Sequence, residues 1–123
     1  MLALGQTATI TRQFSPEDLR GFAALTGFNA KEFTHLPEPL QAALFSYLLG
    51  VELPGRGTNY LKQEMDFLKP VPADETVTAR LEITQLRPEK HLCDLATTLT
   101  NAAGEVLVTG RALVYVKDVE NAF

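Results

Sequence analysis

The order of apolar and polar positions divides the chain into a helical half followed by a strand half. Gln6 to Arg12 is rich in Thr and Ile and reads as a short strand. Ser15-Pro16-Glu17-Asp18 then marks a helix start. Ser15 can cap, Pro16 stands where a missing N–H costs nothing, and two carboxylates meet the positive end of the helix dipole. Leu19, Phe22, Ala23 and Thr26 follow at helical spacing, and Gly27 ends the run. Gly27 to Pro39 reads as irregular, with Asn29, Pro37 and Pro39 as breakers. Leu40 to Gly50, LQAALFSYLLG, is apolar all round, with only Gln41 and Ser46 clearly polar. A helix apolar on every side is buried on every side, so a sheet must wrap around it.

The second half supplies that sheet. The face Leu61, Met65, Phe67 alternates with Lys62, Glu64, Asp66, and Gln63 interrupts the apolar side. Val77, Ala79, Leu81 and Ile83 alternate with Thr78, Arg80, Glu82 and Thr84. Val106, Val108, Gly110, Ala112, Val114 and Val116 form a small apolar face, and Leu92 to Thr100 is a less clear strand. Alternation of period two marks strands with one wet face. Arg87-Pro88-Glu89-Lys90 and Asn101-Ala102-Ala103-Gly104 read as hairpin turns. With the N-terminal strand this predicts an α+β fold: a curved antiparallel sheet of about five strands around one buried central helix.

Composition narrows the function classes. The chain has 123 residues, 46% of them apolar and 21% charged, which is ordinary for one globular domain spanning 1–123. A net charge of −4 argues against a nucleic-acid partner, which needs clustered Lys and Arg. Cys93 is alone, so no internal disulfide is expected, and two His with one Cys make a zinc site improbable. No metal or cofactor is expected. Met1 to Ile10 has no basic n-region and no apolar core of signal length. The longest apolar run, Ala42 to Val51, is broken by Ser46 and too short to span a bilayer. These features predict a cytoplasmic protein without a membrane partner.

One ordered set of motifs goes further. Leu44-Phe45-Ser46, Leu53-Pro54-Gly55-Arg56-Gly57, Tyr60-Leu61-Lys62-Gln63, Phe67 with Pro70-Val71, and Ala73-Asp74-Glu75-Thr76-Val77 follow one another from the central helix into the strands. This series resembles the MaoC-like R-specific enoyl-CoA hydratases, and the likeness reaches back through FSPEDLRGFAALTGFN and on to Val116. The resemblance implies a hotdog fold and a substrate of the acyl-CoA or acyl-carrier-protein thioester class. It also implies assembly as a homodimer, or as a heterodimer with another hotdog chain. In that family an Asp and a His after the first helix hold the water that adds to the enoyl thioester. A backbone N–H at the start of the central helix polarises the thioester carbonyl.

This chain departs from the pattern at that place. In Gly27-Phe28-Asn29-Ala30-Lys31-Glu32, Phe28 and Asn29 match, but Gly27 stands at the Asp position and Glu32 at the His position. A stretch of the family pattern before the central helix is missing, and Pro37-Glu38 replaces its His-Gly. The candidates for acid–base work are therefore Glu32 and His35. Each has a bland alternative, a solvated loop carboxylate and an incidental loop histidine. The candidates for substrate binding are Asn29, Glu38 through its N–H, Ser46, Tyr47, Asn59 and Tyr60. Ser46 could serve a thioester or bond its own backbone one turn back. Gln63, as a buried amide, would order the fold or line a ligand site. Gly55 and Gly57 read as an ordinary turn, with Arg56 and Lys62 as isolated cations able to meet CoA phosphates. Three functions remain open: a hydratase or dehydratase with a rebuilt acid–base set, a hotdog thioesterase using Glu32 or Glu38, and a noncatalytic subunit paired with an active chain.

Overall fold

The computed structural model describes residues 1–29 and 33–123. The described residues form β1 (Thr7–Gln13), α1 (Pro16–Thr26), α2 (Glu38–Tyr47), β2 (Asn59–Phe67), β3 (Thr76–Arg87), β4 (Leu92–Asn101) and β5 (Val106–Tyr115). A π-helical turn, Leu48–Glu52, prolongs α2. The strands pair antiparallel in the order β1-β3-β4-β5-β2, so β1 and β2 are the two edges. This is the α+β arrangement that the pattern predicts and the hotdog fold that the resemblance implies. No helix among the described residues is long and apolar enough to cross a membrane.

The ends of α1 follow its residues. The Ser15 hydroxyl accepts from the Asp18 N–H at 3.1 Å, and the Asp18 carboxylate accepts from the Ser15 N–H at 2.9 Å. Those bonds from Ser15, with Arg12 nearby, hold the Asp18 carboxyl below its ordinary range. At the other end Gly27 adopts φ 83° and its N–H donates to the Ala23 carbonyl. A left-handed stop of this kind favours glycine. The central helix starts two residues earlier than its apolar run, because Pro39 falls in the first turn, where proline is tolerated.

Leu44, Phe45, Leu48, Leu49 and Leu53 pack into the core against the inner side of the sheet. That side carries Val77, Ala79, Leu81 and Ile83 of β3, Cys93, Leu95 and Leu99 of β4, and Val108, Ala112 and Val114 of β5. Gly110 permits close pairing at the β2 edge, since a Cβ there would collide with the Glu64 carbonyl oxygen. Burial pushes the Cys93 thiol up to about 12, with the Asp94 charge adding to the shift, so it packs as an inert small apolar group.

Two details differ from the sequence reading. Ala43, Ser46, Tyr47, Gly50 and Val51 leave a strip of the central helix exposed, with Tyr47 at 45% and Val51 at 59%. Gln63 is exposed rather than buried and donates to the Met65 sulfur at 3.1 Å. It opposes buried Ala112, and Tyr60 opposes buried Val114. Directly opposed residues share a face, so this end of β2 turns its core side to a region that one chain leaves open.

The outer side of the sheet has a polar centre. Asp94, with its side chain 3% exposed, accepts from Arg87 Nη2 at 2.9 Å and from Arg111 Nε at 2.8 Å. Removing a buried carboxylate strands its cations, but both guanidiniums here are partly exposed and can turn to water. Asp94→Ala is therefore expected to lower the unfolding free energy by about 2–3 kcal/mol, less than the loss typical of a fully buried pair. Urea denaturation checks this. A loss under about 0.5 kcal/mol, the size of an ordinary surface change, would show that the cluster adds nothing.

Candidate functional site

The segment before α2 is short, and hydrogen bonds tie it to the chain after β2. The Leu36 N–H donates to the Val71 carbonyl at 2.7 Å, and His35 bridges antiparallel to Pro72. Between these segments and the first turn of α2 lies a cavity of about 420 Å³. Its lining includes Thr34, His35, Glu38, Gln41, Phe67 and Val71. His35 is exposed, and its Nδ1 lies 3.2 Å from the Thr34 hydroxyl, a pair in which either group can donate.

The first turn of α2 offers one main-chain donor. The N–H groups of Leu40 and Gln41 both point to the Pro37 carbonyl, at 3.1 and 3.3 Å, and Pro39 has none. The Glu38 N–H, at the first helical position, makes no main-chain hydrogen bond among the described residues. Gln41 is 3% exposed, and its Nε2 donates to the Leu36 carbonyl at 2.9 Å. Its Oε1 is buried without a hydrogen-bond partner among the described residues. Glu38, Gln41 and His35 thus line one cavity at the head of α2.

The proposed site residues do not all meet there. His35 and Glu38 line the cavity. Asn29 lies exposed beyond the end of α1, and Glu32 falls outside the described residues. Ser46 and Tyr47 sit on the exposed strip, about 12 Å further along the helix from Glu38 at 1.5 Å per residue. Asn59 and Tyr60 open β2, about 23 Å along the strand from Phe67 at the cavity end. Partial burial pushes the Tyr60 phenol up to about 12, so it is a neutral hydrogen-bonding group at physiological pH. The Gly55 N–H donates to the Leu49 carbonyl at 2.9 Å, which fits its reading as an ordinary turn. Gln41 was not among the candidates. Its signal was a polar residue inside an apolar helix that the fold buries on that side.

The chain is similar to known enzymes over nearly its whole length. It is 37% identical over 126 residues to the (R)-specific enoyl-CoA hydratase of Aeromonas caviae, covering 92% of this chain and 94% of that protein. It is 32% identical to the 3-hydroxybutyryl-CoA dehydratase of Methylorubrum extorquens, covering 98% of this chain and 85% of the relative. Among solved structures, an (R)-hydratase from A. caviae involved in PHA biosynthesis superposes with a TM-score of 0.82 at 34% identity. That match covers 92% of this chain and 96% of the other. No family model matches the chain.

Proposed function

The chain belongs to the (R)-specific enoyl-CoA hydratase family, and from that premise we propose that it binds acyl-CoA thioesters and hydrates enoyl thioesters only weakly. The supporting observation is the cavity at the head of α2, where the Glu38 N–H stands at the positive end of the helix dipole beside His35. A thioester carbonyl placed there accepts from the Glu38 N–H and is polarised by it. The acyl chain then runs along the exposed strip of α2 past Ser46 and Tyr47, toward Tyr60. The CoA part stays outside the cavity. Two copies of the chain, each covering the open strip of the other, would turn this groove into a tunnel. This reading places the protein in the cytoplasm, with the acyl-CoA pool.

A ligand that binds only the folded state stabilises it by mass action, by about 2.7 kcal/mol at a hundredfold excess over its dissociation constant. The melting temperature is therefore expected to rise with acyl-CoAs, by an amount that depends on acyl length. Ser46→Phe, which fills the strip, is expected to remove the dependence on length. No shift of the wild type with any acyl-CoA at millimolar concentration would overturn thioester binding. Release of free thiol without loss of alkene would instead identify a thioesterase.

A further inference from the structure

The outer side of the edge strand β2 carries Lys62, Glu64 and Asp66, which oppose Leu113, Arg111 and Thr109 of β5. All three are exposed, and none is in an ion pair among the described residues. Arg111, which opposes Glu64, is held instead by Asp94. The other edge, β1, has Arg12 as its one charge, so free charges of both signs belong to β2. The Glu64 carbonyl oxygen lies against Gly110 of β5, where an added Cβ would collide with it. Successive residues of a strand turn their main-chain groups to opposite edges, so Gln63 and Met65 offer theirs on the open side.

We infer that this edge recognises a second copy of the same chain, pairing β2 with β2 antiparallel about a two-fold axis at Gln63. In that register Lys62 of each copy stands opposite Glu64 of the other, and no like charges are opposed. Leu61, 55% exposed, comes opposite Met65 of the second copy. An axis at Glu64 would offset two Lys62–Asp66 pairs with a Glu64–Glu64 clash. An axis at Met65 would oppose Glu64 to Asp66 twice, one at Lys62 would oppose the two lysines, and one at Leu61 would pair no charges. Opposite charges across a strand pair stabilise it and like charges destabilise it, so the order of charges selects Gln63. The outward main-chain groups of Gln63 make its pairing with its own copy a hydrogen-bonded one. A positive and a negative charge flanking Gln63 become each other's complement when the strand is reversed, so the edge fits its own copy. The contact is independent of thioester binding.

Sedimentation equilibrium tests the register. The wild type is expected to dimerise at micromolar concentration. Lys62→Glu opposes like charges twice and is expected to raise the dimer dissociation constant about tenfold or more. Asp66→Asn is expected to leave it within about threefold, because Asp66 then faces the uncharged Tyr60 of the second copy. An equimolar mixture of Lys62→Glu and Glu64→Lys chains restores opposite charges at both places and is expected to dimerise as tightly as the wild type. Circular dichroism checks that each variant folds, and the wild type, Lys62→Glu and Asp66→Asn decide without the mixture. A wild type that is monomeric, or that joins only a different hotdog chain, would overturn the inference. So would an unchanged dissociation constant in folded Lys62→Glu. Weakening by Asp66→Asn as large as that by Lys62→Glu would move the axis to Glu64 and overturn the register.

Discussion

Hydration of crotonyl-CoA by this chain is expected to run at least about ten-thousandfold slower than by an intact hydratase of the family. Positioned acid–base groups typically contribute about 100- to 10,000-fold each, and the resemblance implies that two such positions are altered here. On that resemblance Gly27 falls at the Asp position, where it offers no side chain at all. Its residue type is explained locally, because its φ of 83° closes α1. On the same resemblance Glu32 falls at the His position, and it lies outside the described residues. His35 lines the cavity, and Thr34 is its described hydrogen-bond partner. The carboxylate that would orient an imidazole for water activation is not among its described hydrogen bonds. The rate follows from the loss of enoyl-thioester absorbance at saturating substrate. A rate within about tenfold of an intact enzyme, less than one such group supplies, would show that replacements operate. Glu32→Gln and His35→Ala would then identify them by the activity each removes.

How much of this was legible in the sequence varied with how local the cause was. The ends of α1 were readable because Ser15, Asp18 and Gly27 act within one turn of the chain. Strands β3 and β5 were readable because the fold buries the inner side of each, so alternation reports burial directly. β4 was less clear for a physical reason. Asp94 and Thr97 are polar yet buried, one held by guanidiniums on the outer side and the other facing inward opposite Gly110.

The candidate site was only half legible. His35 and Glu38 were proposed from their place before the central helix, and both line one cavity. Gln41 was passed over because an apolar helix pattern does not reveal which side meets a cavity. That side is set by the tie from Leu36 to Val71, a contact between segments far apart in sequence. The all-round apolar helix suggested burial on all sides within one chain. The exposed strip instead marks a side whose cover, if it comes, comes from outside the chain.

That strip leads to the expected assembly. The chain is expected to be a symmetric dimer at micromolar concentration, joined through α2 and the β2 edge. Tyr47 and Val51 are 45% and 59% exposed on the helix, and Leu61 on the edge strand is 55% exposed. An edge strand presents unpaired main-chain groups, and an apolar one favours pairing unless it is blocked. The two edges of the sheet differ in this respect. β1 turns Thr7, Thr9, Thr11, Arg12 and Gln13 to water, whereas β2 carries exposed Tyr60 and Leu61. Two copies placed edge to edge at β2 would bring both strips together in an isologous contact. Tyr47→Asp with Val51→Asp puts charges into that contact, where burying them unpaired is costly. The double variant is expected to sediment as a monomer with its circular dichroism unchanged. A wild type that is monomeric at micromolar concentration, alone or with other hotdog chains, would overturn the assignment of this side. A wild type that associates only with a second hotdog chain would keep the contact and replace the homodimer with a heterodimer. The slow hydration expected here would then belong to a subunit whose partner carries the complete acid–base pair.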